Sequence, residues 1–147
     1  METIQKVKTM KTINATKGEF VNLINGLYQV QEVKGKTFSL NVSKNISILH
    51  EKLKDVEKAG TPTEEFLALA KQVNEIAGKE SEENAKKLVD KLEEENKELV
   101  DSRKEQLDKV AEMMKEEVKI KLHILTEDSL PEDITAKQIN NIVKIIE

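Results

Sequence analysis

The 147-residue chain has no cysteine and no tryptophan, one tyrosine (Tyr28), one arginine (Arg103), three phenylalanines and two prolines. Without cysteine it forms no disulfide framework, no thiolate metal site and no thiol nucleophile. No apolar run approaches the roughly 18 residues that would mark a membrane span. The N-terminus carries no apolar stretch of the secretory type, so a cytoplasmic protein is expected. Of the two histidines, His50 falls on the flank of a helical seam and His123 on the polar side of an alternating segment. No HExxH, GxSxG, GxGxxG or P-loop spacing is present, so no catalytic residue, metal site or cofactor is expected. The five glycines occur singly, mostly at expected helix ends, and form no phosphate cradle. Sequence-specific readers of nucleic acid lean on arginine and stacking aromatics, and the scarcity of both argues against nucleic acid as the partner.

Charge and aliphatic side chains fill the sequence instead: charged residues make up 35% of the chain and apolar residues 37%. The core must therefore be aliphatic. The net charge of -4 is unevenly spread. Residues 1–60 carry +4 and residues 79–117 carry -5. Such a polarity can draw an anionic ligand to one end or steer self-contact.

Periodicity organises the chain. The β-branched segment Thr9–Asn14 reads as a short strand. Thr16 and Glu19 form a capping box ahead of Phe20, Leu23, Ile24, Leu27 and Val30 at helical spacing, with Gly35 as the stop. A second helix is expected from Phe38 to Ala59, with a heptad seam of Val42, Ile46, Leu49, Leu53 and Val56. Thr61, Pro62 and Glu64 read as cap, first turn and box of a third helix ending at Gly78. Residues 81–117 contain neither glycine nor proline. As one helix they would extend about 54 Å, against a diameter of about 38 Å for a compact globule of this length. Val118, Ile120, Leu122 and Ile124 then alternate with polar residues, as in a half-buried strand. A last helix opens at Thr135 with Gln138 closing its box, and shows Ile139, Ile142, Val143 and Ile146 as its apolar face. The expected fold is α+β and mostly helical: a helical bundle with one very long helix, and a small two-stranded sheet joining the N- and C-terminal segments. Residues 1–147 are expected to form a single elongated helical domain, with self-association covering the overhang.

The long helix carries an anomaly. Its seam runs Val89, Glu93, Asn96, Val100, Arg103, Leu107, Val110, Met114, so Asn96 and Arg103 stand where apolar residues belong. A seam asparagine can fix register. A buried arginine must find an anion or reach solvent. Three readings follow: a partly exposed seam, an ion pair with Glu93, Glu94 or another helix, or an anionic ligand held by Arg103 and Asn96. The turn between the first two helices offers a second patch of donors, Lys34, Lys36, Asn41, Lys44 and Asn45, with Tyr28 upstream as a stacking ring. For an anionic nucleotide, Arg103, Asn96, Lys36 and Lys44 would hold phosphate and Tyr28 the base.

The layout, from MKTINATKGEFVNLINGLYQVQEVKG through TFSLNVSKNISILHEKLKDVEK to VKIKLHILTEDSLPEDITAKQINNIVKIIE, resembles small helical accessory proteins of tailed bacteriophages. The resemblance implies a non-enzymatic binder in the cytoplasm of an infected host, sequestering a host defence component or its nucleotide immune signal. A structural or assembly protein, a homo-oligomer pairing through the long helix, is the alternative.

Overall fold

The computed structural model describes residues 10–147. Among them are seven α-helices and one two-stranded antiparallel sheet. Two compact units emerge, one whose described residues are 10–56 and 113–147, the other Glu57–Glu112.

In the first unit, strand β1 (Met10–Thr16) pairs with β2 (Glu117–His123), Ile13 opposite Ile120 and Ala15 opposite Val118. The expected sheet joining the two ends of the sequence is therefore present. Thr9, where the first strand was expected to begin, lies outside the described residues. Alternation sends Ala15, Ile120 and Leu122 into the core. Helix α1 (Lys17–Gln29) starts at the expected capping box: the Glu19 N–H donates to Thr16 Oγ1 (3.1 Å), and the Thr16 N–H to Glu19 Oε1 (3.2 Å). Phe20, Leu23, Ile24 and Leu27 form its buried face. Helix α2 (Lys36–Lys52) buries Phe38, Val42, Asn45 and Leu49 and packs on α1 and β2. Gly35 does not stop α1, which ends at Gln29; it is the N-cap of α2, at φ 147°. A side chain is strained at that φ, and a Cβ would also stand 3.3 Å from Pro131.

The second expected helix divides at Leu53 into α2 and α3 (Lys54–Gly60). After β2, a 3-10 turn (Glu127–Ser129) leads to α7 (Ala136–Asn141), opened by the expected Thr135–Gln138 box, and a second 3-10 turn (Val143–Ile145). That turn resets the side-chain phase to three residues. Ile142 and Ile145 are consequently buried, while Val143, expected in the core, is exposed. The chain then runs parallel to the segment after β2: the Leu125 N–H donates to Ile145 O (2.7 Å) and the Glu147 N–H to Leu125 O (2.9 Å).

The second unit is helical. Its principal helices are α4 (Glu64–Lys79), α5 (Glu82–Glu95) and most of α6 (Lys97–Met114). Here the expectation of one very long helix fails. Residues 82–114 form two helices interrupted at Asn96, whose φ and ψ are -115° and 32°. Its N–H is shared between the Leu92 and Glu93 carbonyls, and its side-chain Nδ2 also donates to Leu92 O at 2.8 Å. An asparagine side chain competing for helical carbonyls is a recognised cause of such a break. The α4 cap is Thr63 rather than Thr61, its hydroxyl accepting from the Phe66 N–H (3.1 Å). Thr61 instead donates to Glu57 O (2.8 Å), finishing α3.

Candidate functional site

The five residues singled out from the sequence divide between the units. Arg103 and Asn96 belong to the second. Half-buried, Arg103 donates from Nη1 to Gly60 O (2.8 Å) and to Gln106 Oε1 (2.7 Å), and its guanidinium lies 5.5 Å from the Phe66 ring centre. Gln106 Nε2 in turn donates to Thr61 O (2.6 Å). Side chains of α6 thus satisfy the carbonyls where α3 runs out, a place that favours a cation. Both acceptors of Arg103, the Gly60 main-chain carbonyl and the Gln106 carboxamide, are uncharged. Lys36, Lys44 and Tyr28 belong to the first unit and are exposed, whereas Asn45, expected among the donors of that patch, is buried and spent on the His123 main chain. Lys36 and Lys44 sit eight residues apart on α2, about 12 Å along the axis. Burial holds His123 below its ordinary imidazole value, and the charge of Lys44 adds to the effect.

Periodicity did not single out the cleft between α1 and the C-terminal turns, a space of about 410 Å³ within the first unit. Asn22, Asn25 and Gln29 project from α1 at spacings of three and four residues, hence along one face. Asn140, Asn141, Val143 and Lys144 form the facing wall, and Leu23 and Gly26 the floor. The floor requires glycine: a Cβ at residue 26 would fall 2.8 Å from the Asn141 carbonyl oxygen. Asn141 Nδ2 donates to Gln29 Oε1 across the cleft (3.0 Å). Lys144 pairs with Glu19 at 2.8 Å. That contact, with the Thr16 N–H, holds the Glu19 carboxyl below its ordinary range.

Five of the nine lining residues carry carboxamides. Each offers a donor and an acceptor and no charge. Carboxamides neither give up nor take protons near neutral pH; what they offer a guest is hydrogen bonds. The sequence did contain a signal. Asparagine is a poor helix former, yet it recurs in NLINGLYQ and INN, inside two helical patterns.

Elsewhere among the described residues, a groove of about 690 Å³ lies at the α5–α6 break, and four of its eight lining residues are glutamates. No group of three or more His, Asp or Glu is placed to hold a metal ion there or at any other described position. No described helix is long and apolar enough to cross a membrane. No protein family, curated protein or solved structure matches the chain.

Proposed function

We propose that the chain is a non-enzymatic binding protein of the kind tailed phages encode, acting in the cytoplasm of an infected bacterium by sequestering a host defence component. The observation that carries this reading is the carboxamide cleft between α1 and α7. The side chains of Asn22, Asn25 and Asn140 line it and make no side-chain hydrogen bond to another described residue. They are free to engage a partner. A nucleotide immune signal is the other target of the same reading. It would rest on the exposed Lys36, Lys44 and Tyr28, since Arg103 and Asn96 already engage their own chain.

The test is plaque counting on a panel of bacterial hosts, each carrying one defence system, with and without the expressed chain. Sequestration predicts at least a tenfold recovery of plaques on one host with the defence protein still at its normal level. Absence of recovery on every host, or recovery only with loss of the defence protein, would overturn it.

A second reading, self-association in an assembly role, is favoured by the second unit. It buries only Leu69 and Ala85 of its apolar side chains, while Leu67, Leu88 and Leu107 are exposed. Sedimentation analysis of the Leu88→Glu/Leu107→Glu chain against the parent tests it. A parent oligomer reduced to monomer by the substitutions supports the reading, and a monomeric parent rejects it.

A further inference from the structure

We infer that the cleft between α1 and α7 takes an extended, uncharged stretch of polypeptide, bound through its peptide groups. The inference rests on the binding reading above and names the chemistry that its site recognises.

The chain already uses a carboxamide in this way elsewhere. Fully buried Asn45 donates from Nδ2 to His123 O (2.9 Å) and accepts on Oδ1 from the His123 N–H (2.8 Å). One side-chain amide thereby pairs with both polar groups of a residue in extended backbone. The cleft offers the same group along a line, at Asn22 and Asn25, with Gln29 at its end bridged to Asn141. From Asn22 to Gln29 is seven residues of helix, about 10 Å at 1.5 Å per residue. Three residues of extended chain cover that distance at about 3.3 Å each. Asn140 faces this line from the opposite wall, and exposed Val143 gives a guest side chain an apolar contact at the rim.

Charge and shape separate this guest from others. The single cation of the lining, Lys144, is paired with Glu19, so the cleft presents no uncompensated positive charge to a phosphate. None of its nine lining residues is aromatic, whereas bases are commonly held by stacking on aromatic rings. A peptide group needs neither. It needs a donor and an acceptor together, which a carboxamide supplies.

The experiment pans a displayed library of random dodecapeptides on the full chain and measures the enriched peptides by fluorescence anisotropy. The same peptides, AMP and maltose are then titrated into the ¹⁵N-labelled parent while the side-chain amide signals are followed. The expected result is that enriched peptides bind at micromolar concentration and shift the Asn22, Asn25 and Asn140 side-chain signals, while AMP and maltose leave them in place. Asn25→Ala/Asn140→Ala, both exposed positions, should weaken binding at least tenfold with an unchanged melting curve. The titration of the parent stands even if that variant fails to fold. The inference is overturned if no peptide is enriched, if enriched peptides leave the three signals unmoved, or if AMP or maltose moves them and peptides do not. Plaque recovery without peptide binding would leave sequestration standing and remove this inference. Peptide binding without plaque recovery would do the reverse.

Discussion

At the scale of single residues, the first unit depends on an amide buried in an aliphatic core. Asn45 is the only fully buried polar side chain among the described residues, and both its hydrogen bonds go to the His123 main chain. Asn45→Ala leaves both His123 groups without their partner and opens a void. The expected loss is roughly 2–4 kcal/mol, read as a lower urea midpoint. Asn45→Asp should be comparably costly, because a carboxylate accepts from the N–H but repels the carbonyl; a midpoint shift under ~0.5 kcal/mol for either would contradict this role. The His123 ring adds a pH dependence. Its folded pKa lies below the ordinary 6.5, chiefly through burial and then through Lys44. The unfolded chain therefore binds the proton more readily, and stability falls as pH drops below about 6.5 toward the lowered value. Glu19 and Asp55, whose carboxyls are held low by Lys144 and Lys17 respectively, lose their contribution only below the usual carboxylate range. His123→Gln should flatten the change in urea midpoint between pH 7 and pH 5.5. A slope equal to that of the parent would assign the effect to other groups.

At the scale of elements, the α5–α6 break is a local choice made by Asn96. Alanine at this position removes the competing side-chain donor and carries a higher helix propensity. Asn96→Ala should raise helical content and stability by about 0.5 kcal/mol, measured by circular dichroism and thermal melting. Lower helicity would show that the break is imposed by packing. Arg103→Ala acts in the opposite sense. It removes a hydrogen bond to the last carbonyl of α3, one to Gln106 within α6 and a ring contact with Phe66 of α4, for an expected loss of about 1–3 kcal/mol. Lysine should rescue little of it, lacking the planar fork. These elements also show what a single sequence reveals. Both capping boxes were legible because cap and box residue lie three positions apart, and β2 because alternation needs no partner to be seen. The break at Asn96 was not, since an asparagine at a seam position also suits a continuous helix. The Thr63 cap was obscured by Thr61, which has the same chemistry two residues earlier. The Arg103 partner is a main-chain carbonyl 43 residues away, and every residue has one. The carboxamide cleft joins residues 22–29 to residues 140–144, a closure that depends on Gly26 and on β1 pairing with β2.

At the scale of the whole molecule, burial is divided unequally. The continuous core, from Phe20 and Phe38 to Ile142 and Ile145, lies entirely in the first unit. The second unit spans Glu57–Glu112 and buries two apolar side chains, Leu69 and Ala85. Its 10 basic and 16 acidic residues give it a net charge of -6, against +2 for the remainder of the chain. Little buried apolar surface and self-repelling charge both lower the free energy needed to open helices. Hydrogen exchange at micromolar concentration should therefore find the amides of α4 and α5 opening well before those of α1 and β2, by about 10- to 100-fold in rate, or ~1.4–2.8 kcal/mol. If a second copy covers Leu67, Leu88 and Leu107, raising the protein concentration thirtyfold should slow exchange in the second unit alone, and Leu88→Glu should abolish that dependence. Slower exchange at higher salt without concentration dependence would instead identify charge repulsion as the cause. Equal protection of the two units at low concentration would show that the half-buried side chains of α4, α5 and α6, such as Val73, Ile76, Leu92 and Val100, hold the second unit together without a partner.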